Sequence, residues 1–331
     1  MSCVATFKDL LLNVTAFFIL LSLLLNGSGN ANGAAAPFAE ALSIVDMHAH
    51  FFRTSSASVV SAMDRERIAK AVFMPVPNAG RSRRRGATDE FYREAALAGP
   101  ERLVAFYGGN ELNQQLSATS PSGVSADMKE RFQKSVEDVL QKGGYKGIGE
   151  LGPRHIAWAP GMREIEYPAD HPLMLALADI AAKFDIPLDI HMEATAKTLA
   201  ELDRLLTHYP KTKIIWEHAG WSNTGLATPE VIAKLMQRFP NLLSTIKYRE
   251  AKTETQAQIN LLDRNGALAP AWKSLFEEFS ERFLVGTDVK LGEEDKDYRI
   301  AQSYRKILGQ LSESSAKNIA SGNGIKLLML K

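Results

Sequence analysis

The stretch Ile44–Phe52, IVDMHAHFF, is an apolar run that ends on two histidines two residues apart. In a strand, side chains alternate faces. His48 and His50 then project from one side, and Met47 and Ala49 from the other. Two imidazoles converging on one face can bind a divalent metal, yet an H-x-H pair alone is a weak signal. Its meaning depends on whether the rest of the chain supplies the remaining ligands.

Beyond this stretch the chain repeats one pattern, a short β-branched or apolar run followed by a longer helical segment. The runs Ile44–His48, Ala71–Val76, Leu103–Tyr107, Gly147–Leu151, Ile186–His191, Lys213–His218, Asn241–Ile246 and Phe283–Asp288 read as strands. Between them Ser56–Ala69, Asp89–Ala98, Ser125–Gly143, Pro172–Phe184, Ala196–His208, Pro229–Phe239 and Pro270–Phe279 read as helices. Pro172 and Pro229 stand at helix starts, where proline is tolerated. Strands alternating with helices from residue 40 to 331 point to an α/β TIM (β/α)8 barrel. The alternative, a doubly wound open sheet, usually carries a Gly-rich first turn. No G-x-G-x-x-G follows the first strand.

The composition is 45% hydrophobic and 23% charged with a net charge of +1, which gives no reason to expect nucleic acid as a partner. The N-terminus departs from this average. Lys8 precedes an apolar run from Leu10 to Leu25, and the small, polar stretch NGSGNANGAAAP follows. That is the anatomy of a secretory signal peptide, here residues 1–36, with cleavage near Ala31–Ala36. The run is shorter than the roughly 20 residues of a bilayer span. Asp9 weakens the positive start, so an uncleaved anchor is the alternative, and it would be the chain's only membrane contact. The single cysteine, Cys3, precedes the apolar run. The mature chain would therefore have no disulfide, no thiolate ligand and no cysteine nucleophile. The expected location is periplasmic or secreted.

The polar residues fall at strand ends. His48 and His50 close the first strand, Glu150 the fourth in YKGIGELG, and His191 the fifth in IPLDIHME. His218 closes the sixth in TKIIWEHAG and Asp288 the eighth in RFLVGTDVK. In a barrel these ends converge on one mouth, where active sites of this fold are built. Each residue alone has a bland explanation. A strand-end histidine is usually a hydrogen-bonded rim residue, Asp288 can cap a turn, and Glu150 can join a buried ion pair. Together they form the imidazole and carboxylate set that a borderline dication requires. His208 reads as structural; His155, just past the fourth strand, can reach the mouth.

The motifs DMHAHF, DIHMEA, WEHAG and VGTD, in this order, resemble the amidohydrolase superfamily of metal-dependent hydrolases. The resemblance runs from His48 to the C-terminal IASGNGIKLL and is greatest to the amidohydrolase-related branch that includes aminocarboxymuconate-semialdehyde decarboxylase. It implies that His48, His50, His191 and Asp288 bind a metal, usually zinc, and that His218 lies near the attacking water. Glu150 departs from that branch and looks more like the strand-four carboxylate of TatD-type nucleases, where it helps hold a second metal. One or two ions are therefore both open. Lys146 begins its strand, at the far end of the barrel, so a carbamylated-lysine bridge is discounted.

On this basis Asp288 is the expected general base, and His218 steadies the oxyanion or orients the water. Arg53, Arg154, Lys247 and Arg249 follow strands at the same mouth and suggest a small anionic substrate, a carboxylate held by arginine. The GRSRRRG run at Arg81–Arg85 reads as a charged loop. Trp158 and Trp221 can wall a pocket, while Trp216 reads as core. The expected activity is hydrolysis of a small amide, lactone or ester. Non-oxidative decarboxylation of a carboxylated aromatic or muconate-like substrate is the neighbouring alternative. A TatD-like nuclease and a non-catalytic metal-binding barrel stand further off, and a homodimer is compatible with the sequence.

Overall fold

The strands that carry these residues are β1 (Ile44–Phe51), β2 (Ile68–Phe73), β3 (Leu103–Gly108), β4 (Tyr145–His155), β5 (Ile165–Glu166), β6 (Leu188–Met192), β7 (Ile214–Ala219), β8 (Leu242–Ile246), β9 (Phe283–Val285) and β10 (Val289–Leu291). The structure is a computed structural model describing residues 35–77, 88–156, 164–249, 253–254, 257, 259–292 and 295–329. Residues 1–34 of the expected signal segment, the Arg81–Arg85 run and Trp158 lie outside the described residues. The sheet order is β10-β1-β2-β3-β4-β6-β7-β8-β9, and β1 also pairs with β9, which closes the sheet on itself. All these pairings are parallel, with β5 alone running antiparallel against the end of β4. With β9 and β10 sharing one stave, this is the expected (β/α)8 barrel.

Local chemistry starts the helices where the sequence places them. Ser55, Thr88, Ser125, Thr195 and Thr228 each accept a backbone N–H of the helix that follows. Each satisfies a donor with no partner inside the helix. Asp89–Ala98, Pro172–Phe184 and Ala196–His208 keep the expected bounds. His171 caps the second of these through Nδ1, which accepts from Leu173 N at 3.1 Å. His208 is structural as expected, with Nε2 2.8 Å from Asp179. Trp216 is core, and its indole N–H donates to the Met192 carbonyl at 2.8 Å.

Among the elements that differ from expectation, three bear on the site. The first helix stops at Arg65, because Arg67 turns the chain at φ +51° and Ile68 already pairs with Ile44. A helix at Glu111–Ala118 was not expected; it is capped from a distance by Asp89, whose carboxylate accepts from Glu111 N at 3.1 Å. The eighth strand is broken. β9 ends at Val285, and β10 resumes at Val289 against β1, after Asp288 at φ +51°.

The interior of the barrel is layered. Val45, Met47, Val72, Met74, Val104, Phe106, Ile215, Leu243 and Leu284 form one cluster. It joins staves that are not neighbours in the sheet, so it must fill the inside, and Leu328, just past the helix Asn323–Leu327, plugs it. Met47 therefore faces inward, contrary to strict alternation. A register shift of β1 against β2 between Asp46 and Ala49 lets His48 and His50 face inward above it. The glycines of GIGELG make room for this filling. A Cβ on Gly147 would sit 2.5 Å from the Phe106 ring, and one on Gly149 would sit 2.6 Å from Asp189 Cβ. Gly149→Ala should therefore cost about 1–3 kcal/mol by overpacking. Thermal unfolding followed by circular dichroism should show Tm lowered by roughly 2–4 °C per kcal/mol; an unchanged Tm would contradict this packing.

Candidate metal centre

The staves bring His48, His50, Glu150, His218 and Asp288 into two overlapping groups, and His191 joins them through Glu150. His48 Nε2 lies 3.4 Å from Glu150 Oε2 and 3.9 Å from Asp288 Oδ1. His50 Nε2 lies 3.3 Å from Asp288 Oδ1 and 3.6 Å from Glu150 Oε2. His191 Nδ1 is 2.9 Å from Glu150 Oε1, and His218 Nε2 is 4.0 Å from the same oxygen. The His218 ring sits 5.0 Å from that of His48 and 4.7 Å from that of His191. His155 also reaches the mouth, 4.7 Å from His191.

The backbone holds this cluster by specific devices. Asp46 accepts from Thr287 N at 2.9 Å, Thr287 Oγ1 at 2.5 Å and His48 N at 3.2 Å, so one buried carboxylate ties β1 to the VGTD turn. Asp288 N–H then donates to the His48 carbonyl at 2.8 Å. Asp288 at φ +51° and His218 at φ +77° occupy left-handed conformations that cost of order 1–3 kcal/mol each. Asn113, in the unexpected helix, donates to the Glu150 carbonyl at 2.7 Å and accepts from Gly152 N at 2.8 Å and Tyr167 Oη at 2.6 Å. It fixes the strand end that carries Glu150.

The donor set fits a cation. His50 Nδ1 is 2.7 Å from the Met74 carbonyl, which can only accept, so Nδ1 carries the hydrogen and Nε2 presents a lone pair to the cluster. Glu150 Oε2 and both ring nitrogens of His48 are buried without a hydrogen-bond partner among the described residues. Glu150 is only 2% exposed, too little for water to compensate it. One donor atom each from His48, His50 and Asp288 lies within 4.8 Å of the others, and so does one each from His48, Glu150 and His218. The two groups share His48, whose Nε2 has a single lone pair, so His48 serves one ion and a second would need Glu150, His191 and His218.

A family profile described as amidohydrolase matches residues 45–330. The chain belongs to the amidohydrolase family. It is thus a metal-dependent hydrolase by family, and its buried imidazole–carboxylate cluster is where the family's divalent metal fits. Solved structures share the fold at low identity. Dihydroorotase from Campylobacter jejuni superposes with a TM-score of 0.52 at 17% identity, covering 88% of this chain and 84% of that one. 4-Oxalomesaconate hydratase from Rhodopseudomonas palustris gives 0.52 at 14%, covering 86% and 95%. A D-hydantoinase gives 0.51 at 12%, covering 86% and 70%. No curated protein matches the chain.

In this amidohydrolase-family cluster, burial and charge oppose each other. Burial pushes Glu150 up, but His48 and the His191 hydrogen bond outweigh it and hold the carboxyl well below its usual range. Burial also opposes ionisation of Asp288, yet Lys247 and Lys290 hold it well below. Burial and Lys247 keep His218 neutral, and burial together with His191 pushes His155 down to about 3. His48 is the exception: burial disfavours its charge, but Glu217 and Glu150 raise it well above the usual value.

The expected substrate cations divide. Lys247 is buried with Nζ 2.5 Å from Asp288 Oδ2, and Arg249 donates to the Asp288 carbonyl at 2.7 Å. Lys290, overlooked in the sequence, is 3.4 Å from Asp288 Oδ1. Trp221 lies beside this group, its ring 5.7 Å from Lys247 Nζ. Arg154 Nη1 pairs with Glu164 at 3.1 Å and Glu166 at 3.2 Å in the β4–β5 hairpin. Arg53 is exposed. Glu217 and Asp189 were also overlooked. Asp189 is two residues before His191, on the same strand face, which could have revealed it.

A metal ion on Nε2 must displace the proton that the carboxylates stabilise on His48. Since His48 is raised, zinc affinity should climb as pH rises through the ring's titration, with net proton release on binding. Chelator competition between about pH 5.5 and 8 checks this; a pH-independent affinity would contradict it.

Proposed function

We propose that this protein is an exported hydrolase that uses a metal-activated water on a small anionic amide, lactone or ester. The observation that carries the reading is the convergence of His48, His50, Glu150, His191, His218 and Asp288 at the C-terminal ends of the staves. The nitrogen and oxygen donors, with no thiolate, suit zinc. His48, His50, His191 and Asp288 would hold it, with Glu150 beside them or sharing a second ion. Such an ion lowers the pKa of water from about 15.7 to about 7 and polarises a carbonyl oxygen.

The chain's own groups supply the rest. Asp288 takes the water proton and passes it to the leaving group. Its outer oxygen accepts from Lys247 in the resting site. A substrate anion that draws Lys247 and Lys290 toward itself therefore also restores the basicity of Asp288. Neutral His218 orients the water or steadies the developing oxyanion. Lys247, Lys290 and Arg249 give the anionic end of the substrate its place on the β8–β10 flank. Export rests on residues 1–36; among the described residues no helix is long and apolar enough to cross a membrane. Cell fractionation with N-terminal sequencing tests it, and an intact N-terminus in the cytoplasmic fraction would contradict it.

The activity test is a panel of carboxylate-bearing lactones, amides, esters and carboxylated aromatics, assayed with zinc-loaded and chelator-stripped protein. Hydrolysis that disappears on stripping and returns with zinc supports the proposal; release of carbon dioxide without water uptake would replace it with decarboxylation. Asp288→Asn should cut turnover by at least about 100-fold, the scale of a lost general base, with unfolding temperature preserved. Full activity in that variant would contradict the role of Asp288. Lys247→Met should raise KM for anionic substrates more than for neutral analogues, and an equal change for both would contradict the anion role.

A further inference from the structure

Beneath the metal cluster, inside the barrel, lie two carboxyl groups with no part in the mechanism above. Asp189 on β6 and Glu217 on β7 are both buried, and a donor atom of each lies within 4.8 Å of the other and of His48. Glu217 Oε2 is 3.1 Å from His48 Nδ1, within reach but off the line of a formed hydrogen bond, so that a small turn of the ring closes it, and it accepts from Thr245 Oγ1. Glu217 Oε1 and both oxygens of Asp189 have no other hydrogen-bond partner among the described residues. Buried orphan oxygens are costly, and two carboxyl groups side by side bond only through a shared hydrogen. With that hydrogen on Asp189, Glu217 accepts from Asp189, Thr245 and His48 together, and every orphan except one oxygen of Asp189 is satisfied. The sequence makes space for the pair, since any side chain at Gly149 would strike Asp189.

We propose that Glu217, backed by Asp189, is a positioning residue that holds the hydrogen of His48 on Nδ1 and so turns the Nε2 lone pair toward the metal centre. The proposal rests on the metal-centre assignment, and it is separable from it. His48 spans the two layers: Nε2 faces Glu150 and Asp288, while Nδ1 faces Glu217. A histidine ligand whose second nitrogen is unfixed loses both its tautomer and its ring orientation. His50 solves the same problem with the Met74 carbonyl, so the two β1 ligands are oriented by different acceptors.

The test compares Glu217→Met, which removes the acceptor at similar volume, with Glu217→Gln, whose amide oxygen still accepts. Zinc dissociation constants come from chelator competition. Met should weaken zinc binding by about 10–100-fold, and Gln should recover most of that loss. Equal affinity in wild type and the Met variant, or equal losses in Met and Gln, would overturn the proposal. Histidine side-chain ¹H–¹⁵N spectra of the wild type keep the test independent of variant folding and of metal loading. Nδ1 of His48 should carry hydrogen with and without zinc, and a bare Nδ1 would overturn it. An ion held by the pair itself would also overturn it, revealed as one metal per chain lost in Asp189→Asn. Wild type that binds no zinc but shows the Nδ1 hydrogen would instead refute the metal-centre assignment alone.

Discussion

Two carboxylates, Glu150 and Asp288, are closed off from solvent among four imidazoles, and their charge has to be met from within. Desolvating an anion costs several kcal/mol unless a cation or strong donors replace water. Around Asp288 the chain supplies two ammonium groups; around Glu150 it supplies histidines, and charge on His48 is favoured by carboxylates on two sides. A proton on that ring stands where a metal's charge would stand. Nearly every distinctive feature of the upper barrel follows from holding these groups close together.

The fold makes such a concentration possible because each stave ends at the same mouth. A strictly alternating strand would present one inward side chain per pair of residues. Here β1 shifts register so that Met47 and His48 both serve the interior, and β7 turns at His218 so that Glu217 and His218 both do. The local irregularities are therefore what lets a single stave feed the apolar plug below and the polar cluster above. Asp46 and Asn113 then pin the two most displaced strand ends, at Thr287 and Glu150.

Much of this was legible in the sequence, for physical reasons that also mark the limits. Histidines at strand ends stood out because period two and the barrel rule together point them at one place. Helix starts were legible at Thr88 and Thr195, where the cap lies next to the helix. The helix at Glu111–Ala118 was not, since its cap comes from Asp89, distant in the chain. The break after Val285 was invisible because a side chain, Asp46, takes the place of ladder bonds. Lys290 lies two residues past Asp288, on the same face, and was missed beside more obvious arginines. The carboxylates that pair with Arg154 come from a strand extension and its hairpin, which proximity to the mouth did not foretell.

Anomalous X-ray diffraction from crystals of the zinc-loaded protein bears on the whole scheme at once. The anomalous peak should fall within about 2.0–2.2 Å of His48 Nε2, His50 Nε2 and an Asp288 oxygen, the bond lengths zinc takes with such donors. A peak bound elsewhere, or zinc-saturated crystals with no peak between these side chains, would contradict it.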